Sequence, residues 1–155
     1  MPLSMQQLQS LVDRQELRYL VDPHNPMLIL DVRGTDGTYR FAISLQVEGQ
    51  FLQFRSIGYL SCVPDDPHLG EVLKVLGSVN FRNRLVKYAW DPSDGEIAAY
   101  ADVWIMDGTL TDGQFERVLH NFVTTIDGDY LRIKTAAETG SDPGDKDAGS
   151  GYSTI

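Results

Sequence analysis

The stretch from Tyr39 to Val47 constrains the fold most. Tyr39, Phe41, Ile43, Leu45 and Val47 alternate with Arg40, Ala42, Ser44 and Gln46. A strict period of two predicts a strand with one face buried and the other turned outward, the pattern of an antiparallel sheet rather than a parallel one. Its neighbours follow from the turns on either side. Leu28, Leu30 and Val32 alternate ahead of Gly34-Thr35-Asp36-Gly37, a turn signal. Closing that loop pairs Val32 with Tyr39, Leu30 with Phe41 and Leu28 with Ile43. On the other side, Gly49-Gln50 reads as a two-residue hairpin turn. It pairs Val47 with Leu52 and Leu45 with Phe54, in a third strand running from Phe51 to about Cys62. Both registers put the apolar residues on one core face, the condition that fixes register in a half-buried sheet.

A second hairpin lies further along. Val86, Tyr88 and Trp90 alternate, Pro92-Ser93-Asp94-Gly95 turns, and Ile97, Ala99, Ala101, Val103 and Ile105 alternate back. Pairing Asp91 with Glu96 sets both runs on the same face. Helical signals flank the strands. Ser4 and Gln7 form a capping box ahead of Leu8, Leu11, Val12 and Tyr19, and Asp22-Pro23-His24-Asn25-Pro26 ends that helix. Asp66-Pro67 predicts a second start, Asp as N-cap and Pro at the first helical position, with Leu69, Val72, Leu73, Leu76 and Val79 buried. Thr111 and Gln114 make a second capping box. It opens a helix carrying Phe115, Leu119, Phe122, Ile126, Tyr130 and Ile133, with Gly128 marking a kink or an end. The order is α-β-β-β-α-β-β-α. It implies an α+β two-layer sandwich with a five-stranded antiparallel sheet and the helices on one face.

Composition bounds what such a domain does. The chain has 155 residues, one domain's length. Residues 1–139 read as that domain. Residues 140–155, GSDPGDKDAGSGYSTI, read as a disordered tail, because Gly, Asp and Ser dominate them. With 22 acidic and 13 basic residues the net charge is −9, which argues against nucleic acid and against anionic membranes as partners. No apolar run reaches the roughly 20 residues of a membrane span. The N-terminal residues lack a secretory signal pattern, so the expected compartment is the cytoplasm.

Catalytic signals are absent from the sequence. His24, His68 and His120 have no second His or Cys at ligand spacing, and Cys62 is the sole cysteine, so no metal or cofactor site is expected. Asp91 to Glu96 reads as a type I turn rather than a calcium loop. No nucleophile elbow, P-loop or dinucleotide fingerprint occurs. The strand and pocket-edge polar residues Arg33, Arg40, Arg55, His68 and Asp102 are the candidates for a small-molecule or catalytic site built from dispersed residues. The expectation is a protein that is not an enzyme.

Surplus apolar surface is the stronger signal. The non-core face of the third strand carries Phe51, Ile57 and Tyr59, and that of the fifth carries Tyr100 and Trp104. Aromatic residues on an outer sheet face indicate an interface for a partner or a second copy. Two other readings stay open: a register off by one residue, and cover by the chain's own terminus.

The segment LGSVNFRNRLVKYAWDPSDGEIAAYADVWIMDGTLTDGQFERVL resembles the YbjN-like family, bacterial proteins labelled sensory-transduction regulators. The likeness lies in the helix end around Asn80, the KYAWDPSDGEI strand and turn, and the DGTLTDGQF approach to the last helix. It extends over about residues 5–138. It implies the fold of type III secretion chaperones, in which the third strand lies beside the fifth and joins Phe51, Ile57, Tyr59, Tyr100 and Trp104 into one patch. Those chaperones are small, acidic, usually dimeric proteins that hold an extended partner segment. The resemblance therefore implies a non-catalytic protein-binding module and a homodimer; a purely structural homodimer is the further alternative.

Overall fold

The computed structural model describes residues 2–145. Three α-helices and seven antiparallel strands are formed among them: α1 (Met5–Arg14), β1 (Tyr19–Val21), β2 (Met27–Arg33), β3 (Thr38–Gln46), β4 (Phe51–Ile57), β5 (Leu60–Ser61), α2 (Leu69–Arg82), β6 (Lys87–Trp90), β7 (Glu96–Trp104) and α3 (Asp112–Thr139). The sheet runs β1-β2-β3-β4-β7. β5 continues the β4 side of β7, and β6 pairs along β7's opposite edge.

The sheet thus has seven strands rather than five, for two local reasons. First, α1 stops at Arg14, and Glu16 takes a left-handed φ of 58° that no helix continues. Tyr19–Val21, which the helical spacing assigns to the first helix, becomes an edge strand paired with β2. Second, the strand expected from Phe51 to Cys62 breaks at Gly58, whose φ is 63°. That break inverts the side-chain alternation. Tyr59 turns into the core, and Leu60–Ser61 pairs separately with β7.

Two registers form as the sequence predicts. Val32 faces Tyr39, Leu30 faces Phe41 and Leu28 faces Ile43. In the second hairpin Trp90 faces Ile97, with Asp91 N–H donating to the Glu96 carbonyl at 2.8 Å. The β3–β4 register differs by two: Leu45 faces Leu52 and Ile43 faces Phe54. Val47–Gly49 leaves the strand and forms a 3₁₀ turn. A slip of two preserves every face.

Both capping boxes are present, with reciprocal bonds between Ser4 and Gln7 and between Thr111 and Gln114. The start of α2 is corrected from Pro67 to Leu69. Asp66 instead spends its carboxylate on the His68 N–H at 2.7 Å, in a turn ahead of the helix. Val72, Val75, Leu76 and Val79 form the buried face of α2, and Leu73 points out. α3 runs unbroken through Gly128 and ends at Gly140, a left-handed cap with φ 73°. Beyond it Asp142 returns to pair with Arg132 at 2.9 Å; the rest of the expected tail, residues 146–155, lies outside the described residues.

All three helices feed one core on the inward sheet face. Phe41 and Phe54 of the sheet meet Phe122 at 5.3 and 5.7 Å between ring centroids, and Phe54 meets Phe115 at 5.9 Å. Leu8, Leu11 and Val12 of α1 are buried in the same cluster. Edge-to-face and offset contacts of this kind add to the burial of the rings themselves.

Candidate functional site

Phe51, Ile57, Tyr100 and Trp104 all lie on the outward sheet face, in different rows except that Phe51 and Trp104 share one. β4 and β7 pair with Phe51 opposite Trp104, Gln53 opposite Asp102 and Arg55 opposite Tyr100. Directly opposed side chains on one face touch, so the register alone brings these groups together. The Phe51 and Trp104 rings lie 4.6 Å apart, tilted by 39°. Trp104 remains 62% exposed, and Ile57 is 39% exposed nearer the other end of the strand. Tyr59 is not part of this face. Its hydroxyl donates to the Ile126 carbonyl at 2.6 Å inside the core.

Polar groups separate the aromatic ones in rows. Gln46 Nε2 donates to Gln53 Oε1 at 3.3 Å, and Gln53 Nε2 to Asp102 Oδ1 at 3.0 Å. One row on, Arg55 Nε donates to the Tyr100 hydroxyl at 3.0 Å and Arg55 pairs with Glu96 at 2.9 Å. The Arg55 guanidinium also sits 5.6 Å from the Tyr100 ring centroid. Arg40 holds Asp31 through two bonds of 2.8 and 2.9 Å, which lowers the Asp31 carboxyl below its usual range. The face is therefore a satisfied polar lattice with one exposed aromatic pair at its end.

The five residues offered as a dispersed polar site are not gathered. Arg40, Arg55 and Asp102 are each engaged in different rows of the outer face, and Arg33 lies at the end of β2. His68 is on the helical side, its Nδ1 2.9 Å from the Ala137 carbonyl. Among the described residues no group of His, Cys, Asp and Glu is arranged to hold a metal ion. The Cys62 thiol is buried and pushed up by that burial, the opposite of an activated nucleophile.

A buried cluster was not anticipated from the sequence. Tyr39, Tyr59 and Tyr130 stand in mutual ring contact and Tyr88 packs against Tyr59, with centroids 5.4 to 6.0 Å apart. Burial pushes the Tyr39, Tyr59 and Tyr88 phenols up, so they stay protonated and serve as donors. The Tyr88 hydroxyl and Asn83 Nδ2 each donate to Asp129 at 2.9 Å. Burial nevertheless raises the Asp129 carboxyl; those two bonds and the charges of Arg132 and Arg82 pull the other way without cancelling it. A carboxyl raised on folding contributes stability that is complete below its unfolded pKa, about 3.9, and lost as pH rises through its folded value. Asp129→Asn keeps an acceptor for both bonds and removes the charge. Urea unfolding from pH 4 upward is expected to show wild type losing stability relative to the variant; parallel profiles would contradict it.

A model of the family YbjN, described as "Putative bacterial sensory transduction regulator", matches residues 4–134. The chain belongs to the YbjN family. The crystal structure of YbjN from E. coli matches with a TM-score of 0.65 at 15% identity, over 88% of this chain and 93% of that one. A chain of the HopA1–SchA chaperone–effector complex matches at 0.54 and 15% identity, covering 82% and 97%. A chain of the ExsC–ExsE complex matches at 0.52 and 17% identity, covering 86% and 97%. No curated protein sequence matches the chain. The architecture of this YbjN-family chain is thus α+β, similar to that of secretion chaperones; identities this low carry fold and not function. Among the described residues no helix is long and apolar enough to cross a membrane.

Proposed function

We propose that this YbjN-family chain is a non-catalytic, cytoplasmic protein-binding module with chaperone-like or regulatory action, which seats a partner's apolar side chains on the outer face of its sheet. The observation that carries the reading is the Phe51–Trp104 pair. A tryptophan 62% exposed and packed against a tilted phenylalanine ring on an outer sheet face is the kind of anchor that protein interfaces use. The same fold in a chaperone–effector complex supports it. The net charge of −9 favours a protein partner over nucleic acid.

Homodimerisation belongs to the same proposal, through a different surface. α2 shows Leu73, Gly77 and Phe81 at intervals of four on its outward side. Phe81 is 83% exposed, and nothing stands above Gly77. Residues four apart on a helix share one face, so this is a continuous apolar stripe.

Light scattering after size exclusion separates the two surfaces. Trp104→Ser is expected to leave the dimer intact and abolish partner capture, while Phe81→Ser yields monomers. A dimer broken by Trp104→Ser would make the aromatic face the self-interface and overturn the partner reading.

A further inference from the structure

The end of the sheet that carries Phe51 and Trp104 is built by two loops clasped together. Gln50, after the β3–β4 turn, offers its carbonyl to the N–H groups of Ile105 and Met106 at 2.8 and 3.0 Å. Each loop holds a non-glycine side chain in the left-handed region: Val47 (φ 51°) and Glu48 (φ 55°) in one, Met106 (φ 58°) in the other. For β-branched Val47 that conformation is a genuine outlier, and strained residues gather where a binding surface must be held in shape. Val47, Trp104 and Met106 are all more than half exposed. The two strained loops thus carry exposed apolar side chains at the end of the sheet where the aromatic pair lies.

The charged side chains carried by the two loops themselves are acidic, and Arg14 of α1 is the cation that reaches this end. Residues 46–54 and 101–116 contain Glu48, Asp102, Asp107, Asp112 and Glu116 and neither lysine nor arginine. Asp112 is matched by Arg14 at 2.6 Å; Glu48 is exposed in the first loop, and Asp102 is exposed one row along from Trp104. The cations of the outer face lie elsewhere, Arg55 with Glu96 and Arg40 with Asp31.

We infer that the twin-loop end of the sheet recognises a partner segment in which large apolar side chains are interleaved with lysine or arginine. The inference rests on the protein-binding reading above and names the partner's chemistry. Val47, Phe51, Trp104 and Met106 receive the apolar groups, and Glu48 and Asp102 the cations. A second copy of this chain is the wrong occupant: a two-fold contact would set the acidic rim against itself. Nucleic acid is refused by the same acids.

The test uses the full chain labelled with nitrogen-15, titrated with an alternating lysine–leucine octapeptide. Glutamate–leucine and lysine–serine octapeptides serve as controls. The expected result is movement of the Trp104 indole and the amides of residues 47–51 and 104–106, with affinity at least about tenfold above either control. Raising salt from about 0.05 to 0.5 M weakens binding by a similar factor. Glu48→Gln with Asp102→Asn lowers affinity roughly tenfold, whereas Glu138→Gln, on the last turn of α3, changes it less than about twofold. Val47→Asn relieves the strained φ, so Tm rises by about 3 °C while affinity falls; this separates binding from folding. If lysine–leucine and glutamate–leucine peptides bind this end equally, the charge inference falls and the protein-binding reading stands. If the shifts map elsewhere, or no peptide binds, both fall.

Discussion

Replacing Asp127 by alanine is expected to destabilise the chain by about 3 kcal/mol, lowering Tm by roughly 10 °C. Asp127 lies on α3, and its carboxylate closes the β2–β3 turn from above. Oδ2 accepts the Thr35 N–H at 2.8 Å; Oδ1 accepts the Asp36 N–H at 2.9 Å and the Tyr39 hydroxyl at 2.7 Å. Hydrogen bonds to an ionised acceptor are worth more than neutral ones, and Tyr39 is almost fully buried, so its hydroxyl cannot turn to water instead. Asp127→Asn should fall between the two. Its single carbonyl oxygen can serve Asp36 and Tyr39, but its amide would face the Thr35 N–H donor to donor. The turn is also tailored to the carboxylate. A Cβ at Gly34 would come within 2.5 Å of Asp127 Cγ. Gly34→Ala should therefore be costly in the wild type and much less so beside Asp127→Ala, a non-additivity that a thermal double-mutant cycle reads directly. Additive losses would mean that the helix and the turn are not coupled through this group.

That clamp shows where sequence reasoning reaches and where it stops. The Gly34–Gly37 loop was sufficient for the β2–β3 register, because a half-buried strand tolerates no single-residue slip. It said nothing of Asp127, whose partners lie some ninety residues away along the chain. Capping boxes were legible for the same local reason: both partners sit within one helical turn. Edge strand β1 was hidden because Tyr19 continues the spacing of Leu8, Leu11 and Val12, and the left-handed turn at Glu16 has no glycine to announce it. Alternation placed Phe51, Ile57, Tyr100 and Trp104 outward, the family resemblance implied that their two strands are neighbours, and Tyr59 was misplaced. Pairing of β4 with β7 gathers Phe51, Tyr100 and Trp104, but the same strand carries Tyr59 to the core because Gly58 turns left-handed. A glycine in a strand pattern signals that a bulge or break is available, not that it is used. The strained Val47 ran against local preference altogether. Its alternation with Leu45 extends the strand by one residue that the structure instead commits to the loop.

Gly49→Ala is expected to cost about 3 kcal/mol or more, through a contact between the candidate site and the first helix. Gly49 has φ 86°, and a Cβ there would lie 2.2 Å from the Leu3 carbonyl oxygen. The Leu3 N–H donates to the Gly49 carbonyl at 3.1 Å, so the two backbones are already tied at closest approach. Added bulk cannot be absorbed by a side-chain rotation because the obstacle is backbone. The segment ahead of α1 must lift, taking Leu3 out of the core and leaving the Ser4 cap unsupported. Losing a buried leucine accounts for about 1.5–3 kcal/mol, and a left-handed alanine adds roughly 1–2 kcal/mol. The proper comparison is Gly128→Ala in the middle of α3, where nothing lies within 4 Å of the added methyl. There the same chemical change should stabilise by about 0.5–1 kcal/mol, because alanine loses less chain entropy in a helix. Opposite shifts in Tm from one methyl group are the expected pair of results. A Gly49→Ala chain that melts with the wild type would show that the N-terminal segment is not held by this loop. It would also remove the reason for the loop's fixed shape, since Val47 and Glu48 stand directly before the glycine that Leu3 grips.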